Sequence, residues 1–204
     1  MGAVTFLTFV FISIAVLVFP GPSILLIVAN SMQRGRIVGL YTVAGGLVAM
    51  GAQLLVAVTG LNTVDTVFAA GFNYLRWAGV AYLIYLGAQR WRGHTHGELR
   101  GRMSRSYRSA VTEGFIVALT NPGTMLFFVA FFPQFLNDAS AISPQLLTMS
   151  LTFMLLTLIV DSSYALLSAR LGHYLHKPGR TAMRNHLAGV ILLAAALALA
   201  LINF

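Results

Sequence analysis

Charged residues are nearly absent from long stretches of this chain and crowd into the short gaps between them. Helices that are apolar on every side need apolar surroundings, and 204 residues cannot supply them from their own interior. With 58% hydrophobic and 9% charged residues, the pattern specifies an integral membrane protein. At about 20 residues per crossing, about six spans fit in a single domain, 1–204, with no room for a soluble catalytic domain. The longest polar gap runs only from about Arg90 to Arg108.

Six spans follow from the hydropathy pattern: Phe6 to Ser31, Ile37 to Leu61, Phe68 to Gln89, Ala110 to Phe132, Leu146 to Ala169 and Leu187 to Ile202. The amino-terminal run lacks a basic leader and passes straight into Pro20-Gly21-Pro22 and more apolar sequence, which fits a retained span better than a cleaved signal. The gaps alternate in charge. The first holds Arg34 and Arg36, the third six arginines between Arg90 and Arg108, and the fifth Arg170, Lys177, Arg180 and Arg184; the second and fourth hold only Asp65 and Asp138. Positive loops stay inside, so the odd gaps are expected at the cytoplasmic face of a bacterial inner membrane and both termini outside. The net charge of +8 then serves topology and anionic lipid rather than nucleic acid. Arg76 falls inside the third span, where it can snorkel outward or line a polar cavity.

Spans one and four share one peculiarity. Pro20-Gly21-Pro22 interrupts the first and Asn121-Pro122-Gly123 the fourth, each followed by a second apolar half. An odd number of spans separates one break from the other, so the halves (about 1–90 and about 108–204) must insert in opposite directions. The expected fold is an all-α membrane protein of six transmembrane helices, arranged as a 3+3 inverted repeat with discontinuous first and fourth helices.

Proline removes an amide donor and clashes with the preceding turn, so each break frees carbonyls before it and amides after it. Such groups cost several kcal/mol in hydrocarbon and persist only where protein or trapped water meets them. Helix starts near Pro22 or Ser23, and near Gly123 or Thr124, favour a carboxylate, and the preceding carbonyl ends favour an ammonium group. Two facing breaks would suit a zwitterion such as a free amino acid; the alternative is a pair of structural kinks. Asp161 lies inside the fifth span, where a charge costs roughly 2.5–3.5 kcal/mol on insertion scales. It can carry a proton, face a substrate ammonium, or pair with Ser162, Ser163 or a tyrosine of another span.

Gln53 and Asn30 are further polar groups within spans, and Asn121 can cap the second half-helix. Glu113 stands near Arg108, where an interfacial ion pair or a gating role would account for it. Gly45, Ala49 and Ala52 share one helix face and permit close packing, within a protomer or across a dimer. The five histidines lie in gaps or at a span end and give no converging metal set; cysteine is absent. No cofactor or enzyme chemistry is expected, since a membrane enzyme would need more than one convergent acid or histidine.

The motifs together resemble the LysE/RhtB family of bacterial amino-acid exporters, and its RhtB-like branch of homoserine/threonine and homoserine-lactone efflux proteins in particular. The likeness runs from about Phe6 to the end of the sixth span. Pro20-Gly21-Pro22 matches the family's Pro-Gly-Pro signature, followed by Gly35, Gly39 and Gly45. Trp77 to Gly87 resembles its Gly-Ala-Ala-Tyr-Leu stretch, and Gly114-Phe115, Asn121-Pro122 and Phe132-Pro133-Gln134-Phe135 match its most recognisable block. Asp161 corresponds to an acidic position of homoserine-lactone-type members. Gly123 departs from the family, where lysine often follows Asn-Pro. The resemblance implies efflux of small amino acids or derivatives, driven by proton exchange, by a homodimer. A passive channel for small zwitterions is the alternative. No phosphate-binding loop occurs, so pumping would draw on an ion gradient.

Overall fold

The computed structural model describes residues 2–60, 67–91, 103–121, 124, 127–137, 141–174 and 181–201. Among these the fold is all helical: α1 (Ala3–Val18), α2 (Pro22–Arg34), α3 (Arg36–Gly60), α4 (Val67–Trp91), α5 (Met103–Leu119), α6 (Ile142–Tyr174) and α7 (Thr181–Leu201). A π-helical turn at Phe127–Phe131 and a 3-10 turn at Phe132–Phe135 lie between α5 and α6.

Two of the described helices, over Arg36–Leu55 and Ile142–His173, are long and apolar enough to cross a membrane singly. The pair α1 and α2 qualifies as one broken span, bent by 56°. The distribution of side chains is that of a protein in lipid. Leu7, Phe11, Leu55, Leu151 and Leu167 are exposed, while Ser13, Asn30, Gln53, Thr157 and Asp161 are buried. Polar groups turn inward because hydrocarbon offers them no partner.

The first break forms as proline chemistry dictates. Gly21 is extended, and Pro22 occupies the first position of α2, where its missing amide costs nothing. The first α2 bond runs from Leu25 N–H to Gly21 O, 3.0 Å. The Val18 carbonyl, left over at the end of α1, accepts from the Tyr164 hydroxyl at 2.8 Å. A sharp corner at Gly35 (φ 91°) ends α2 and starts α3.

The fourth span, expected over Ala110 to Phe132 with an interruption at Asn121, starts earlier, at Met103; its first helix stops at Leu119, at that interruption, and π and 3-10 turns replace a second regular helix over Phe127 to Phe135. Beyond Asn121 the chain reaches the π turn, and Pro122 and Gly123 lie outside the described residues. The carbonyls at the end of α5 are nevertheless all met. Ile116 O accepts from Thr120 N–H, Val117 O from the Thr120 hydroxyl, and Ala118 O from Asn121 N–H. Gln53 Nε2 reaches across from α3 to Ala118 O and Leu119 O, both at 3.1 Å.

Packing is tightest where glycines face backbone. A Cβ on Gly45 would strike the Val111 carbonyl, and one on Gly114 would strike the Thr42 carbonyl. The small-residue face of α3 therefore packs within the protomer, against α5. Gly172 of α6 meets the Met32 carbonyl of α2 in the same way. Leu192, Ala195 and Leu199 of α7 pack with Leu26, Leu83 and Val117, while Leu197 and Leu201 remain exposed. An aromatic cluster of Phe9, Phe127, Phe128, Phe132, Phe135 and Phe153 fills one end of the molecule. Its Phe127 and Phe153 rings stack with centroids 4.8 Å apart.

Candidate functional site

The two breaks meet. Asn121 Nδ2 donates to the Ser23 Oγ at 3.4 Å, joining the end of α5 to the start of α2. Around this contact lies a cavity of about 230 Å³, lined at the breaks by Gly21, Pro22, Ser23, Asn121 and Thr124. That volume lies below the roughly 300–1,000 Å³ of drug-sized ligand sites, so it suits a solute of few atoms. Gln53 and Asp161 also line it.

Helix periodicity explains the lining. Thr42, Gly46, Met50 and Gln53 fall on one face of α3, and Phe153, Thr157 and Asp161 on one face of α6. The two helices run antiparallel, with Gly51 against Met154 and Gly39 against Ala165. That register sets Asp161 level with about Val43. On its other side α6 runs parallel to α2, with Ile27 beside Ala165 and Met32 against Gly172, so Asp161 stands level with Gly21 to Ser23 at the first break, and Gln53 lies farther along α3. Between Val43 and Gln53 the helix rises about 15 Å. Phe127 and Phe153 bring the aromatic cluster to the Gln53 end.

Gln53 has two duties. Both its amide hydrogens are committed to the α5 carbonyls, which fixes the orientation of the side chain. Its Oε1 is then buried without a hydrogen-bond partner. A buried acceptor left open costs about 1–3 kcal/mol, unless a donor enters the cavity to meet it. On the opposite wall, α2 starts without a side-chain cap, so its first amides stay open. Asp161 is 8% exposed. Ser163 does not engage it: that hydroxyl bonds the Ile159 carbonyl of its own helix, and Tyr164 is committed to Val18.

At the Thr42 end a polar network closes the space between α2, α3 and α5. Asn30 Nδ2 donates to Thr42 Oγ1 (2.9 Å) and to Glu113 Oε2 (3.0 Å). Arg34 (3.1 Å) and the Ser109 hydroxyl (2.7 Å) both donate to Glu113 Oε1. Glu113 is 3% exposed, and its ion pair is with Arg34, not with the neighbouring Arg108 that sequence proximity proposed. The residue lies inside the bundle rather than at an interface, because Arg34 folds back along α2 to reach it.

The expected site residues thus divide. Gly21, Pro22, Ser23, Asn121, Gln53 and Asp161 share the cavity. Asn30 and Glu113 form the network beneath it, and Pro20 is exposed beside the break. Pro122, Gly123 and the Arg76 side chain lie outside the described residues. Sequence reasoning missed Thr42, Ser109, Arg34 and Thr157. Spacing could have flagged Thr42, eleven residues before Gln53, and Thr157, one turn before Asp161; nothing local marks Arg34 or Ser109. Among the described residues no group of three or more histidine, aspartate or glutamate side chains could hold a metal ion.

Comparison with known proteins bears on this arrangement. Residues 14–202 match the profile of the family described as LysE type translocator. The chain is 30% identical over 176 residues to a homoserine/homoserine lactone efflux protein of Salmonella typhi, covering 83% of each chain. It is 29% identical over 176 residues to the protein of the same description from Salmonella typhimurium, again covering 83% of each. Identity is 28% over 188 residues, 89% of each chain, to an uncharacterized membrane protein of Vibrio cholerae. No solved structure matches the chain at a significant level.

Proposed function

Since the chain belongs to the LysE-type translocator family, we propose that it is a secondary exporter of small amino acids or their derivatives, with homoserine, threonine and homoserine lactone the first solutes to try. The observation that carries the proposal is the hydrogen bond between the two breaks, Asn121 to Ser23, on the wall of a cavity that also holds Gln53 and Asp161. The open amides at the start of α2 receive the solute's carboxyl or carbonyl oxygen. Gln53 Oε1 accepts from its ammonium group. Asp161, on the α6 wall of the cavity, exchanges a proton and couples efflux to proton entry. Gly21, Pro22 and Asn121 shape the site through their backbone, Pro20 sets the bend, and Pro122 and Gly123 are assigned to the same site from the sequence alone.

The Asn30–Glu113–Arg34 network is the closure of the cavity at the end carrying Arg34 and Arg36, and the aromatic cluster closes the other. Six spans in two opposed halves, about 1–90 and about 108–204, would let the solute see each end in turn. That end is the cytoplasmic one if both termini are external. Homodimer assembly belongs to the same proposal. A passive pore would need no Asp161.

Counterflow in proteoliposomes tests this. Labelled homoserine, threonine and homoserine lactone are offered with and without an imposed pH gradient. Uptake that follows the gradient in the wild type and loses that dependence in Asp161→Asn is the expected result. Transport indifferent to the gradient in both proteins would leave the passive pore, and no flux of any of the three would remove the substrate assignment.

A further inference from the structure

A second concavity lies outside the transport site. A cleft of about 660 Å³ opens between the α2–α3 corner and the last turns of α6, with Gly35, Arg36, Leu166, Arg170 and His173 among its walls. Arg36 and Arg170 come from helices far apart in sequence and are both exposed. Of the acids among the described residues, Glu113 is held by Arg34 and Asp161 sits about 13 Å up α6 from Arg170. Neither arginine has an acidic partner there. Two arginines therefore stand on a concave space with His173 beside them, and among the described residues no acid faces either arginine.

The corner adds to this. Gly35 interrupts the backbone so that α3 begins at Arg36, and the first amides of that 25-residue helix lie at the same wall. The flanks of the cleft are apolar and open: Ile37, Leu166, Leu167 and Leu171 all expose their side chains on the same two helices. Basic walls with greasy flanks, at the end of helices that cross a membrane, match a ligand that is anionic at its head and apolar behind.

From this geometry we infer that the cleft holds the phosphodiester of an anionic phospholipid, with its acyl chains along Ile37 and the exposed leucines of α6. The lipid ties the α2–α3 corner to α6. Both elements also wall the cavity above, since α2 carries Ser23 and α6 carries Asp161. A free phosphate would share the head chemistry but gain nothing from the apolar flanks.

Native mass spectrometry of the full-length protein, titrated with phosphatidylglycerol or phosphatidylcholine in detergent, tests the assignment. Phosphatidylglycerol is expected to be retained and phosphatidylcholine lost. In Arg36→Gln/Arg170→Gln, retention of phosphatidylglycerol is expected to weaken by about 30-fold, the effect of two basic residues at a membrane surface. Arg108→Gln, which removes an exposed arginine away from the cleft, should leave it unchanged. An unaltered melting temperature of the double variant in lipid-free detergent shows that the loss is not misfolding. Equal retention of the two lipids, or equal loss in Arg108→Gln and the double variant, overturns the site. Inorganic phosphate binding at the same strength as the lipid, and lost in the double variant, would overturn the lipid in favour of a free anion.

Discussion

Replacing Glu113 by glutamine tests whether the network beneath the cavity holds it shut. The carboxylate offers two oxygens, one to Asn30 and the other to Arg34 and Ser109. Glutamine keeps the shape but supplies one oxygen and one amide, so either Asn30 or the Arg34–Ser109 pair meets a donor instead of an acceptor. At least one hydrogen bond to a charged group disappears, worth about 1.5–3 kcal/mol. If the network exists only while the cavity is closed at this end, that loss raises the open population by about 10- to 150-fold. The chain has no cysteine, so a single reporter can be placed without background. Thr157→Cys is suited to the purpose: it lines the cavity, and its hydroxyl bonds only the Phe153 carbonyl of its own helix. Labelling by a membrane-impermeant maleimide from the face carrying Arg34 should accelerate at least tenfold in Glu113→Gln, while labelling from the opposite face should not. Equal rates with and without Glu113→Gln would refute the closure.

Other expectations concern packing and the breaks. Gly45→Ala and Gly114→Ala each push a methyl into a facing carbonyl and should each cost about 1–3 kcal/mol in detergent denaturation. Gly35→Ala forces an alanine into backbone at φ 91°, ψ 171°, at about 1–3 kcal/mol, even though open space surrounds it; tolerance without loss of stability would contradict the corner. Gln53→Leu strands the Leu119 carbonyl and leaves Ala118 O only its bond from Asn121 N–H, so it should lower stability by about 1–3 kcal/mol as well as weaken solute binding, read by melting with and without added homoserine. Tyr164→Phe removes the donor to Val18 O at the first break and should cost only about 0.5–1.5 kcal/mol.

Much of this arrangement was legible from residue types because the bilayer penalises unsatisfied backbone so strongly. Pro20-Gly21-Pro22 and Asn121-Pro122-Gly123 announce where helices must stop, and Asp161 and Gln53 announce where polar groups must turn inward. The partners of those groups were not legible. That Glu113 meets Arg34, 79 positions away, depends on how α2 folds back against α5 after the Gly35 corner. Likewise the sequence places Asp161 and Gln53 inside spans but not relative to one another; only the antiparallel register of α3 and α6 separates them along the cavity. The stop of α5 falls at the expected break, but the turns beyond it were not legible, because Phe127 to Phe135 is as apolar as a span and hydropathy does not distinguish a regular helix from π and 3-10 turns.

The reciprocal fit of α3 and α5, glycine against carbonyl in both directions, limits how this molecule can change shape. Two surfaces keyed together at Gly45 and Gly114 cannot slide lengthwise past one another without a collision at each key. Shear between them is therefore barred, and any alternation must turn elsewhere, as at the extended Gly21 between α1 and α2, about a pair that stays locked.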